Sequence, residues 1–252
     1  ANRSSIDAFR AAVLDRLVAS PPWRRGYLTM LRDLNREGGL YFDVVDALRA
    51  RGVVLSKAEF GDYLSGLVQW KSVGEAHAAW LDFNRRRGVE VAYGLFDGAF
   101  VREPDGIPFG WVFSPVKSVV KTLDRGQGEH GERALTLTFF GDRTPQPGVE
   151  QWLALSPGRH VLSGWSSAEG FQGDRGLVWR AHCRSDAGQW KVLATTRAEH
   201  GSHGWLPFST EFVVPDEGCT VQLLRIESAS LAALDTIFSG TVSYSRLAVS
   251  KE

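Results

Sequence analysis

Near residues 86–93, in the stretch "RRRGVEVAY", the hydrophobic pattern of this chain changes period. Before it, apolar residues recur three and four positions apart. After it they alternate every second position. A helix buries a stripe and a strand buries a face, so a segment written in one period cannot serve as the other. The chain is therefore expected to hold an all-α part, 1–88, followed by an antiparallel β part, 92–252, an α+β multidomain architecture.

The first part reads as a run of helices separated by short turns. Ser5 is expected to cap a helix burying Phe9, Ala12, Val13 and Leu17, ended by Pro21-Pro22. A second helix places Tyr27, Leu28, Leu31 and Leu34 on one face and closes at Gly38-Gly39. A third carries Val44, Val45 and Leu48. Ser56 and Glu59 stand at capping-box spacing before Phe60, Tyr63, Leu64 and Leu67. The last buries Ala76, Ala79, Trp80 and Phe83 and ends in a basic run before Gly88. Gly66 and Gly74 fall where neighbouring helices need to approach. Short connections suggest antiparallel helix pairs, similar to a degenerate, capping tetratricopeptide-type array, although no clean 34-residue period recurs.

The second part has Gly or Pro turns about every ten residues. Strands are expected at 94–101, 109–122, 133–140, 149–155, 159–169, 176–184, 189–196, 205–214, 219–227 and 238–249. So many short strands form a sandwich or a barrel.

Composition excludes several classes. Lys and Arg equal Asp and Glu at 29 each, which gives the whole chain no electrostatic reason to seek nucleic acid or an anionic membrane. No apolar run is long enough for a membrane span. No signal peptide is seen. The chain opens on Ala1 and its single methionine is Met30, so a removed leader or a piece of a longer protein is expected. No G-x-S-x-G, H-E-x-x-H or phosphate loop occurs, and Glu169 with Glu211 is a carboxylate couple without support, so no enzyme and no cofactor are expected. His200 and His203 lie in a glycine-flanked loop and lack a third ligand nearby; no metal site is expected there.

A series of motifs in the β part resembles the jelly-roll carbohydrate-binding-module and galactose-binding-like superfamily. It comprises "LFDGAF" (95–100), "PFGW" (108–111), "EQWLALSPGRHVLSGWSSAEG" (150–170), "WLPFSTEFVVP" (205–215) and "SGTVSYSRLAV" (239–249). The whole chain resembles bacterial envelope proteins in which helical repeats precede such a domain. The resemblance implies a jelly-roll sandwich and a polysaccharide or oligosaccharide ligand. It also implies that envelope or exopolysaccharide assembly proteins are partners of the helical part, and a periplasmic or cell-surface location. Many such modules hold a structural calcium, but the matching places here carry Val101 or Arg102 and Ser245, with Glu103 and Asp105 shifted.

Within that frame Trp165 is the residue that asks for an explanation. In 159–169, Leu162, Gly164, Ser166 and Ala168 form one face; Val161, Ser163, Trp165, Ser167 and Glu169 form the other. A tryptophan on a polar face suits a sugar, whose C–H face stacks on an aromatic ring while its hydroxyls bond to planar polar groups. In 177–184 the inward set is Leu177, Trp179, Ala181 and Cys183, leaving Arg180 and His182 outside. The expected ligand-binding set is Trp165, Arg180, His182 and Glu169 on one surface, with Gln151 and Trp152 from another strand. The alternative has Trp165 covered, Arg180 paired with Glu169, and Gln151 in a cross-strand bond. Trp190 and Trp205 are expected as core or edge cover.

Cys183 and Cys219 are the two cysteines. Cys183 points inward and no third cysteine competes, so a disulfide is expected. Two unlinked buried thiols are the other possibility. The function this reading leads to is a non-catalytic glycan-binding module on a helical docking segment. The alternative is a protein-interaction scaffold without a sugar site.

Overall fold

Local signals set the helices. The computed structural model describes residues 3–34, 39–70, 72–185, 187–230, 232 and 234–252. It contains α1 (Arg3–Val18), α2 (Arg24–Leu34), α3 (Gly39–Ala50), α4 (Lys57–Trp70) and α5 (Val73–Arg86). The capping box forms as expected: the Ser56 amide donates to Glu59 Oε2 at 2.8 Å, and the Glu59 amide donates to Ser56 Oγ at 3.3 Å. Glu59 has a second task. Arg24 at the start of α2 donates to both of its oxygens at 2.7 Å, and both side chains are buried. The bidentate pair ties α2 to α4. Burial opposes the charge on Glu59, but the bonds from Arg24 and Ser56 hold its carboxyl below its ordinary range.

Several expectations about these helices change. Ala12 is exposed, and Gly74 is not a close-approach residue, since a Cβ there would meet only Ser72 Oγ at 3.9 Å. Ser5 lies inside α1, which begins at Arg3, so it is not the cap; its side chain, the Phe9 side chain and Gly38 lie outside the described residues. Leu34 is 74% exposed. It shares a stripe with Trp23, Tyr27 and Met30, turned by one residue from the buried stripe Arg24, Leu28 and Leu31. Gly66 behaves as a close-approach residue: a Cβ there would meet Phe42 and Tyr41 of α3 at 3.4 Å.

The β part is a jelly-roll sandwich of two five-stranded antiparallel sheets. Its strands are β1 (Val112–Phe113), β2 (Val119–Asp124), β3 (Ala134–Arg143), β4 (Val149–Leu153), β5 (Gly158–Gln172), β6 (Leu177–Arg184), β7 (Trp190–Thr195), β8 (Gly201–Val214), β9 (Val221–Ser228) and β10 (Ile237–Lys251). Sheet I runs β1-β4-β9-β6-β7 and sheet II runs β2-β3-β10-β5-β8. The core between them includes Trp111, Leu137, Phe139, Leu162, Phe171, Trp179, Leu224, Ile226, Phe238 and Tyr244. Each such side chain contributes about 1.5–3 kcal/mol by leaving water. Gly164 stands on the inward face of β5 because a Cβ there would meet Leu247 at 2.5 Å and Phe208 at 2.9 Å.

The expected strand at 94–101 does not form. Gly94 and Gly98 press on the backbone of β10, and Asp97 and Phe100 take positive φ, so the segment turns repeatedly. The expected strand 109–122 is split: β1 joins sheet I and β2 joins sheet II, with Pro115 between them. The chain divides into two compact units, Ala1–Trp80 and Leu81–Glu252.

Candidate functional site

Trp165 and Glu169 do lie on an outward face, that of sheet II, and Leu162, Gly164, Ser166 and Ala168 face the core. Arg180 and His182 face outward from sheet I, with Leu177, Trp179, Ala181 and Cys183 inward as expected. The expected single surface is therefore corrected. β5 and β6 are consecutive in the chain but belong to opposite sheets, so the two pairs stand on opposite outer faces.

On sheet I the polar groups satisfy one another. Arg180 donates to Glu227 at 2.8 Å and to the Ala229 carbonyl at 2.9 Å; its partner is Glu227, not Glu169. His182 Nε2 lies 3.1 Å from the same Glu227 oxygen, and Arg225 donates to the other at 2.8 Å. Burial would raise the Glu227 carboxyl, but bonds from His182 and Arg180 and the charge of Arg225 pull it down to about 2. Gln151 is fully buried, and its amide closes a two-way bond with the Phe96 backbone at 2.8 and 2.9 Å. Trp152 meets Phe109 edge to face. None of these four reaches the face that carries Trp165.

Sheet II presents a different outer face. Register places Thr122, Thr136, Ser243 and Ser167 in one row across β2, β3, β10 and β5. Thr138, Thr241 and Glu169 form the next row. Thr136 and Ser243 hydroxyls lie 3.0 Å apart, and those of Thr138 and Thr241 3.4 Å. Thr136, Ser243, Ser167, Thr241 and Glu169 of these rows line an open groove of about 640 Å³ that crosses the sheet from Asp124, Arg125 and Gln127 to His203 and Trp205. Five strands at their usual spacing span about 19 Å.

His203 is positioned at the groove's far end by two acceptors: Nε2 lies 2.8 Å from buried Glu199, and Nδ1 lies 2.8 Å from the Gly204 carbonyl. Glu199 also accepts a 2.8 Å bond from Ser166. The "RAEHGSHGW" loop expectation is thus corrected, since residues from Gly201 onward belong to β8. Trp205 is half-buried and lines the groove, while Trp190 is 43% exposed on edge strand β7. Glu211, opposite Val161, is eight residues along β5 from Glu169, about 25 Å, so that carboxylate couple does not meet.

The floor hydroxyls, Asp124, Arg125 and Gln127 were missed. The alternation in "ALTLTFF" and "GTVSYS" marks Thr136, Thr138, Thr241 and Ser243 as outward, but pairing of β10 with both β3 and β5 is invisible in sequence. The residues around the position of a family calcium do not fit a cation. Asp97 accepts from the Val101 and Arg102 amides at 2.9 Å, and Glu103 pairs with Arg133 at 2.7 Å.

The Cys183–Cys219 disulfide is present, joining β6 to the segment before β9. No described helix is long and apolar enough to cross a membrane.

No family model and no curated protein sequence matches the chain. Among solved structures, one reported as "CBM4 structure and function" is 14% identical, with a TM-score of 0.45, over 63% of this chain and 99% of that one. The CBM22-1 xylan-binding domain of Paenibacillus barcinonensis Xyn10C is 16% identical, with a TM-score of 0.40, over 55% and 83%. The C-terminal family 22 carbohydrate-binding module of Clostridium thermocellum Xyn10B is 11% identical, with a TM-score of 0.42, over 64% and 91%.

Proposed function

We propose that residues 92–252 bind a neutral polysaccharide or oligosaccharide along the outer face of sheet II, without cleaving it. The observation that carries this reading is the pair of hydroxyl rows flooring the groove, bounded by Trp205 and Glu169. Hydroxyl and carboxylate oxygens pair with sugar hydroxyls, and an indole offers a flat apolar surface to a C–H face. Asp124 and Glu169 outnumber Arg125 among the carboxylates and guanidiniums lining the groove and so disfavour polyanionic chains by repulsion. Their strands are three spacings apart, about 14 Å, wider than the roughly 5–10 Å of a glycosidase carboxylate pair.

The helical part, 1–88, is proposed to dock to a protein of envelope or exopolysaccharide assembly or secretion. The exposed stripe of Trp23, Met30 and Leu34 favours such contact. The same stripe supports the second reading, a protein scaffold whose sandwich binds no sugar. The disulfide supports a periplasmic or cell-surface location.

A glycan array on the full chain, followed by affinity electrophoresis, tests the first reading. Xylan is the first polysaccharide to try. Retention by neutral glycans is expected. Indifference to every glycan, with retention of a protein partner, would favour the scaffold.

A further inference from the structure

Trp165 shares the face of the groove but does not line it. It stands two residues before Ser167 on β5, about 7 Å along the strand. In register beside it are Ser245 of β10 and Pro207 of β8. The loop 125–133, which joins β2 to β3, lines one end of the groove with Arg125 and Gln127 and also reaches this row. Ala134 and Ser245 point out of the sheet in this row, yet both are 0% exposed. His130 from the loop comes to Trp165, with ring centres 5.9 Å apart and planes at 68°. His130 itself remains exposed, paired with Glu129 of the same loop at 2.6 Å.

The loop, "RGQGEHGER", is a unit of its own. The Gly128 amide donates to the Glu132 carbonyl at 2.9 Å, and the Gly131 amide donates to the Gly128 carbonyl at 3.0 Å. The His130 amide donates to the Glu132 carboxylate at 2.9 Å. Gly126 and Gly131 hold left-handed φ that other residues rarely take. Its last residue is anchored outside it, since Arg133 donates to the Val101 carbonyl at 2.9 Å and to Glu103 at 2.7 Å. The hydrogen bonds of 126–131 run within the loop, so that turn can lift about the Arg133 end without unpairing β2 from β3.

We propose that loop 125–133 is a lid over a second sugar-stacking subsite, the ring of Trp165, and that His130 occupies the position a sugar ring would take. The inference rests on the glycan-binding reading of the groove. A ligand that fills only the hydroxyl floor leaves the lid closed. A longer chain lifts it, replaces His130 on Trp165 and adds one row of the sheet to the site. His130 thereby sets the length of chain the face accepts, and its removal strengthens binding.

Two measurements on the full chain test this. The first is acrylamide quenching of tryptophan fluorescence in wild type, His130→Ala and the double variant His130→Ala with Trp165→Phe. The expected result is more quenching in His130→Ala and a return toward wild type in the double variant. Unchanged quenching overturns the lid whatever the protein binds. The second is retention in gels containing soluble xylan, with a neutral gel as reference. His130→Ala is expected to tighten retention roughly two- to ten-fold, the factor an aromatic contact of this kind represents, and Trp165→Ala to weaken it. If Trp165→Ala weakens retention while His130→Ala does not tighten it, the subsite is open already and the lid falls, leaving the glycan reading intact. If Trp165→Ala has no effect on measurable retention, the subsite itself is wrong. If no variant is retained, xylan binding fails, and the subsite proposal falls with it even where the quenching shows the cover.

Discussion

The two outer faces of the sandwich carry similar residue types and use them in opposite ways. On sheet I, Arg180, His182 and Arg225 converge on the single carboxylate of Glu227, and Arg180 spends its remaining donors on Thr195 and the Ser228 and Ala229 carbonyls. A buried carboxylate needs such partners, since leaving one charge uncompensated costs several kcal/mol. On sheet II the Thr122 hydroxyl donates to Asp124, the Thr136–Ser243 and Thr138–Thr241 hydroxyls pair with each other, and exposed Glu169 has no partner among the described residues. A ligand can be held only by groups that still have bonds to give. The lesson is that charge and aromatic content alone do not mark a site; the remaining hydrogen-bonding capacity does.

That contrast can be broken by experiments in which sheet I variants change stability and sheet II variants change binding. The largest effect is expected from the disulfide. Reducing Cys183–Cys219, which closes a loop of 36-residue separation, should cost roughly 4 kcal/mol. The check is a thermal melt with and without reductant, and retention of glycan by the fraction still folded should be unchanged. A melt unmoved by reduction would show that the bridge adds little to sheet I.

Glu227→Gln should cost about 3 kcal/mol, because Arg180 and Arg225 would lose their counter-charge. The folded carboxyl lies near 2 against an ordinary 4.5. Its contribution is therefore present above about pH 4.5 and is lost as pH falls toward 2, a total on the order of 3 kcal/mol. Denaturant midpoints measured from pH 7 to pH 2 should fall steeply for wild type and flatten in Glu227→Gln. Parallel curves would mean that Glu227 does not carry the acid sensitivity.

On sheet II, Trp165→Ala should weaken polysaccharide retention by on the order of 1 kcal/mol, with a melt within a few degrees of wild type. A large fall in the melt would assign Trp165 to the fold instead. The smallest change is expected from Thr136→Ala or Ser243→Ala, each about 0.5–1 kcal/mol in binding as read by titration calorimetry. Their pairing at 3.0 Å predicts that the double variant loses less than the sum of the singles. Strict additivity would show that each hydroxyl meets the ligand alone.

Much of this was determined by the sequence itself. The change of period near 86–93 announces helices followed by strands, and the Ser56–Glu59 spacing predicts a cap that forms. The alternation through Trp165 and through Trp179 assigns the inward and outward faces of β5 and β6 correctly. These are local properties, set by a side chain's position relative to its own backbone within a few residues. Tertiary structure alone decided which outward faces coincide. β5 and β6 diverge into different sheets, β10 inserts between β3 and β5, and Thr136 meets Ser243 across 107 residues of sequence. No period in one strand encodes its neighbour, because strand pairing is chosen by burial of the whole core. Sequence could therefore bring Trp165 to the surface, but only the folded sheet could surround it with Ser245, Pro207 and His130.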